Sequence, residues 1–541
     1  MKRLALLFIG IMLFPFFSHA GGIVTNTNQS AAWVRMFARD ASTGIDAVYF
    51  NPAGLAKLGD GLYISLTDQI ITQNRYITSD YSYLNTSDYE GSVFAPLFPS
   101  VYAAYKTGKF AFSFGFNVIG GGGSATFDKG LPMFDMSASD LVPMLNAPYD
   151  ATSYSLDAYL EGSSVYYGYQ LGVTYAINDM IAVYLGARYV SATNTYTGHL
   201  KDITLNPGLA NEVLAASYFT GVAGQLQPLD AGLGGLVAGG ASSLTLAQAE
   251  GAGAITSDQR TAMEAGFTAL GIPTATPIGT AYGIVHPNYT KAAAASVLLA
   301  DQEGDIEQKG SGIAPIIGVN LSLMENKLNI GMKYEFETNI ELENNVEPGK
   351  GFAIGMGVDT EGNPAPIYMF PDGEKVNNDM PAQFTLGADY KITDKFSVAV
   401  GGHYYFDKQA DYGKKINGVF VENDQLINKG LWEAAIGLEY KITEKFLLSL
   451  GYLHTQIGVK EVYQSNLSYT NSSNSIGFGG AYKVTPNIDL NLGIGYTTYE
   501  TFEKTFDHDI AGSGTLVSVK ETYDKDNLFI ALGLDFKLFG K

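Results

Sequence analysis

The phrase YKITDKFSVAVG, Tyr390 to Gly401, returns almost unchanged as YKITEKFLLSLG, Tyr440 to Gly451. Looser copies start at Tyr482 (YKVTPNIDLNLG) and Tyr175 (YAINDMIAVYLG). In each, a short polar centre separates two segments that alternate, with Leu447 and Leu453 as exceptions. Phe384, Leu386, Ala388 and Tyr390 fall on one face, and Gln383, Thr385, Gly387 and Asp389 on the other. Trp432, Ala434, Ile436, Leu438 and Tyr440 repeat the pattern against Glu433, Ala435, Gly437 and Glu439. A period of two is a β-strand with one apolar face, and the Asn/Asp/Thr/Pro centres make each phrase a hairpin.

A soluble sandwich also alternates, but its polar face meets water and carries Lys and Glu freely. Here the second face is mostly Gly, Ala, Ser, Thr and Asn with a few charges, as in Asp489, Asn491 and Gly493 beside Ile488, Leu490 and Leu492. That fits a closed barrel with lipid outside and a filled interior, since closure removes the unpaired backbone groups that hydrocarbon penalises. Tyr105, Tyr175, Tyr390, Tyr440 and Tyr482 all precede a short turn on the apolar face, predicting an aromatic girdle at the periplasmic rim. Long polar connections (407–429, 458–474, 501–527) fall at the other end. A propeller would need four strands per copy, and these copies hold two. The expected fold is all-β, a transmembrane β-barrel of about fourteen antiparallel strands over 61–541. The third strand is expected at 109–120 and the last at 526–539.

The first residues, MKRLALLFIGIMLFPFFSHA, place Lys2 and Arg3 before an apolar run from Leu4 to Phe17 and a small-residue exit at Ala20. The run is short of the roughly 20 residues that span a bilayer, so residues 1–20 are expected to be a cleaved signal peptide. Export to the outer membrane of a Gram-negative bacterium follows. The formal charge of −21 excludes a nucleic-acid partner, and with no cysteine there is no disulfide framework.

Residues 21–60 do not alternate. Their apolar content (Trp33, Val34, Met36, Phe37, Tyr49, Phe50, Leu55) is high for a free tail, so a plug inside the lumen is expected. Within them NQSA (28–31), ARDAST (38–43) and FNPAGLA (50–56) resemble the plug of the FadL/TodX-type outer-membrane transporters of long-chain fatty acids and hydrocarbons. Asn51, Pro52, Ala53 and Gly54 carry the most specific part. The resemblance implies ligand capture by outer loops, a lumen site beside the plug, and sideways release through a kink in the third strand. Gly120, Gly121, Gly122 and Gly123 stand where that kink would fall. They supply backbone freedom and leave a hole, though a flexible loop tip would read the same.

Residues 201–305 form an Ala/Leu/Gly-rich insertion, expected to be extracellular and helical. Thr256 and Gln259 have capping-box spacing, and Met263, Phe267 and Leu270 make one apolar stripe. The stripe is either a ligand-collecting groove or the inside of a small helical pair. Six histidines show no metal-ligand spacing, and no hydrolase or nucleotide motif occurs, so neither metal nor cofactor nor catalysis is expected. For a ligand carboxylate, parity points Arg188 and Lys333 inward, with Glu335 as a competing partner. The expected partners are hydrophobic small molecules, outer-membrane lipid and the barrel-insertion machinery, and the expected state is monomeric. A surface adhesin and a porin for polar solutes are the rival readings.

Overall fold

A computed structural model describes residues 25–209, 211–359, 364–416 and 419–539. The expected signal peptide and residues 21–24 lie outside them.

Among the described residues, fourteen antiparallel strands close into a barrel. They are β1 (Gly61–Ser79), β2 (Asp88–Ala95, resuming as Ser100–Thr107), β3 (Phe110–Phe127), β4 (Tyr154–Ala176) and β5 (Ile181–Leu205). Then come β6 (Gln302–Leu323), β7 (Leu328–Glu335, resuming as Glu341–Val346), β8 (Lys375–Asn377 and Gln383–Lys391) and β9 (Phe396–Tyr405). The wall is completed by β10 (Trp432–Lys441), β11 (Phe446–Gln456), β12 (Ser473–Thr485), β13 (Ile488–Tyr499) and β14 (Leu516–Phe539). Closure is a long ladder from Leu62↔Phe539 to Ser79↔Glu521 between β1 and β14. The connection 501–527 is not a plain loop, because Phe502–Asp509 pairs with the start of β14.

The wall is inside-out relative to a soluble protein. Leu185 and Ile313 are 67% and 65% exposed, while Gln170, Thr174, Asn194 and Gln308 are fully buried. Apolar side chains facing outward and polar ones facing inward is the arrangement that hydrocarbon surroundings select. All five girdle tyrosines are exposed beside short turns, as their parity requires. In the doubled phrase each turn is closed in the same way: Ile392 and Ile442 donate their N–H to Phe396 O and Phe446 O, and the hydroxyls of Thr393 and Thr443 accept from the next backbone amides.

Residues 25–58 run inside the wall and include α1 (Ala31–Val34), α2 (Ala47–Phe50) and a 3₁₀ turn (Pro52–Lys57). Inward glycines let this segment close on the strands. A Cβ on Gly451 would lie 2.2 Å from Met36 O, and one on Gly331 2.2 Å from Asp40 O. At the long-loop end, α3 (Pro132–Ser139) and α4 (Leu141–Tyr149) follow β3. Four more helices follow β5: α5 (Ala215–Ala238), α6 (Leu246–Gly251), α7 (Ser257–Leu270) and α8 (Ile278–Leu298). Among the described residues no helix is long and apolar enough to cross a membrane.

Candidate functional site: an interrupted wall beside a lumen cavity

Strand β3 does not end near residue 120, as the alternation had implied. It continues to Phe127, and the glycines lie within it. Alternation fails there because the strand changes course. Gly121 and Gly123 have φ of 75° and 108°, and two register shifts against β4 fall between Val118 and Gly123. A side chain at Gly121 would meet Ser164 O at 2.0 Å, so glycine is required at that position.

On the other side of β3 the ladder opens. It holds from Thr107↔Phe110 to Ser100↔Asn117 and resumes only at Val93↔Ala125. Pro96 and Pro99 bracket the break in β2, where neither can donate to a ladder. Backbone groups left over are taken by other partners: Asp68 accepts from Phe98 N–H. The inner segment takes the rest, with Asn26 N–H donating to Ile119 O, the Asn26 amide to Gly121 O and the Gln29 amide to Val118 O. The edge exposed by the kink is thus paired with the chain inside the lumen rather than with its neighbour in the wall.

A cavity of about 370 Å³ lies against the inner side of this opening, within the range of roughly 300–1,000 Å³ typical of small-molecule sites. Its apolar lining includes Trp33, Ile71, Phe98, Phe127, Leu160 and Phe529. A second cavity of about 260 Å³ lies on the outer side, lined by Leu97, Phe116, Val118, Tyr167 and Tyr169. Phe98 and Gly123 line both.

The inner cavity also holds two cations, Arg75 and Lys525. They are direct cross-strand partners of β1 and β14, an arrangement that like charges disfavour. Arg75 Nε donates to Gln73, and Lys525 Nζ stands 4.6 Å from the Tyr499 ring centroid. Among the described residues neither forms an ion pair. The cavity's carboxylate, Glu433, is already engaged by His403, Tyr405 and Thr455.

No protein-family model matches the sequence, and no curated protein matches it. A FadL homologue from Pseudomonas aeruginosa superposes with a TM-score of 0.58 at 12% identity, covering 96% of this chain and 100% of that chain. The chain has the FadL-type fold. Two toluene transporters superpose with lower scores. TodX of P. putida gives 0.46 at 14% identity over 92% and 95% of the two chains. TbuX of Ralstonia pickettii gives 0.44 at 15% over 91% and 94%.

In this FadL-type barrel the residues singled out by sequence have definite places. The Asn51 amide donates to Ser42 O and to Asn320 Oδ1 of β6, and Thr174 donates to Pro52 O. Ala53 is buried against Tyr184 and Ile316, and a side chain on Gly54 would strike Ser42 O at 2.3 Å. Asn-Pro-Ala-Gly therefore docks the inner segment on β4–β6. Arg188 and Lys333 do face inward, but they do not line the cavity. Arg188 pairs with Glu335 and donates to Gln170 at 2.6 Å, and Lys333 Nζ donates to Tyr49 O at 3.0 Å. Both lie over the Tyr49 ring, at 5.0 and 4.5 Å.

The inner segment carries its own buried ion pair. Arg39 grips Asp46 with Nε and Nη2 at 2.7 and 2.8 Å. Burial alone would raise the Asp46 carboxyl, but Arg39 and the Ser42 hydroxyl outweigh it and hold it below its ordinary 3.8. A depressed carboxylate stabilises the folded state fully above its unfolded value, and that contribution is lost as pH falls through the folded one. Asp46→Asn is expected to loosen the segment by about 3–5 kcal/mol, since it strands a buried guanidinium. Trp33 fluorescence in a Trp432→Phe background reports this, and in the parent the same change should set in only below pH 3.8. Asp40 is tied further in: His403 bridges it to Glu433, with 2.7 Å on each ring nitrogen.

The stripe of α7 faces its neighbours. Phe267 and Leu270 are buried with Leu229 and Leu233 of α5, and Met263 packs on Gly232. Thr256 and Gln259 do form the capping box. The stripe holds the helices to each other.

Proposed function

We propose that this barrel lies in the outer membrane and passively admits hydrophobic molecules with an acidic head, long-chain fatty acids being the simplest case. Capture occurs at the long-loop end, binding in the lumen cavity, and release sideways between β2 and β3. Residues 25–58 act as the plug, and the helices after β5 as the extracellular cap. The observation that carries this reading is the pair of cavities, the inner one part apolar and part polar, that meet at Phe98 and Gly123 on either side of an unpaired stretch of wall. Lateral release keeps an acyl chain out of water, a preference of about 0.8 kcal/mol per CH₂. The head-group preference rests on Arg75 and Lys525, two cations without a carboxylate partner at one end of the cavity. An adhesin would have no use for such a cavity, and a porin would not line it with Phe98, Phe127 and Phe529.

Replacing Arg75 and Lys525 together with methionine tests the reading. Two charge-assisted hydrogen bonds lost should weaken oleate binding by about 3 kcal/mol, roughly 100-fold. Binding of a neutral alkane of similar length should change little, because methionine preserves the apolar volume. Equal loss of both ligands would mean the cavity collapsed, and loss of neither would remove the acidic head from the proposal.

A further inference from the structure

At the short-turn rim the doubled phrase does something that the lumen site does not explain. Lys327, Lys391, Lys395, Lys441, Lys445 and Lys483 are all exposed there. Backbone hydrogen bonds link them in pairs across neighbouring strands. Lys391 N–H donates to Lys327 O, Lys441 N–H to Lys395 O, and Lys483 N–H to Lys445 O, each at 2.8 Å. The result is an arc of six lysines along the rim from β7 to β12. Glu325, Asp394 and Glu444 sit in the same turns, yet among the described residues none of the six lysines forms an ion pair. Placing like charges side by side on a strand edge is unfavourable without a counter-charge from elsewhere. Asp489, the cross-strand partner of Lys483, and Asp389, which feels Lys391, add to Glu325, Asp394 and Glu444, so six ammonium groups stand among five carboxylates along the arc, none of them closed into an ion pair with the lysines among the described residues.

The rest of the rim differs. Lys106 pairs with Asp60 at 3.6 Å, Lys57 donates to Asn326 at 3.0 Å, and Lys109 donates to Ile177 O at 3.1 Å. Lys106 and Lys109 flank β2 to β4 on the side of the opening, Lys57 bridges the β4–β5 and β6–β7 turns, and Lys537 of β14 lies 5.9 Å from the Tyr63 ring, so each has a protein partner. The arc lies across the barrel from the opening. Beside it stand the outward rings of Tyr390, Tyr440, Phe446 and Tyr482. Aromatic rings at the edge of the hydrocarbon with amines just beyond them match the depth profile of a lipid leaflet, from acyl boundary to phosphate.

We propose that this arc binds the phosphate head groups of anionic phospholipid, of the phosphatidylglycerol class, in the leaflet at the short-turn end. The inference depends on the barrel spanning a bilayer and not on what its lumen carries. Backbone pairing of the lysines fixes their spacing, so neighbouring head groups are held by two amines each.

The full chain in nanodiscs of phosphatidylcholine with a minor share of phosphatidylglycerol supplies the test. Mild delipidation followed by native mass spectrometry counts the lipids retained. The parent should keep phosphatidylglycerol over phosphatidylcholine by about tenfold or more, since each lysine near an anionic surface contributes about fivefold. The variant with all six changed to glutamine should lose the preference. A charge-matched control, with Lys201, Lys350, Lys375, Lys429, Lys460 and Lys520 changed to glutamine at the long-loop end, should keep it. Heat-modifiable gel mobility reports folding, and Lys395→Gln with Lys441→Gln serves if the larger variant misassembles. No preference in the parent, or an equal loss in variant and control, overturns the proposal. Retention of the preference in the six-lysine variant does so as well.

Discussion

Ala95→Trp should reduce uptake of labelled oleate into proteoliposomes to the level of protein-free liposomes. Ala95 ends the first half of β2 and is nearly buried, and its Cβ would lie 3.3 Å from a Cβ built on Gly123. An indole at this position fills the space that the interrupted ladder leaves. The substitution suits the purpose better than one on the glycines. At Gly121 any side chain collides with Ser164 O and at positive φ, so Gly121→Ala should disturb the β3–β4 pairing and the assembly of the barrel. Ala95 carries no such requirement. Oleate binding should survive in Ala95→Trp, because Arg75 and Lys525 are untouched. Loss of transport with retained binding identifies the opening as the exit. Transport at the parent's rate in a folded Ala95→Trp barrel would send the ligand out between the inner segment and the wall instead.

How far the sequence reaches depends on which interaction sets the residue choice. Alternation is dictated by lipid on one side, and it locates the strands, the girdle tyrosines and closure from β1 to β14 without any tertiary knowledge. It stops where the wall departs from regular pairing. Strand β3 appeared to end near Gly120 because the kink breaks the period, although the strand resumes beyond it. Arg75 and Lys525 escaped for the same reason: the alternating stretches run out at about residue 72 and start at about 526, while the β1–β14 ladder continues to Ser79↔Glu521. Parity within the regular strands points instead to Arg188 and Lys333. Arg188 and Lys333 do point inward, but parity is blind to what already occupies the interior, and there they meet Tyr49, Gln170 and Glu335. The α7 stripe was equally readable as groove or core, since periodicity gives a face and not its neighbour. The inward glycines were legible as small residues, and only the packed segment explains their size. They are small where the segment touches.

A barrel lacking residues 25–58 should conduct ions strongly, and the intact protein should not. The lumen face left behind is polar, with Gln170, Thr174 and Asn320 among its buried side chains, so water and ions would fill the space. Deletion alone is a blunt instrument, and Gly451→Leu makes the same case more finely. Its side chain would enter the space of the Met36 backbone, with a Cβ 2.2 Å from Met36 O. The wall itself gives little, because Gly451 lies between Gly437 and Gly477 in an unbroken stretch of ladder. Strain must therefore fall on the segment, at the turn between α1 and the Asp40–His403 contact. A folded, heat-modifiable Gly451→Leu barrel with an intermediate leak in planar bilayers is the expected result. Asp46→Asn should add to that leak, since it loosens the same segment from within. If the deleted barrel stays silent, the lumen is sealed by something other than this segment, and the glycines of the wall need a different cause.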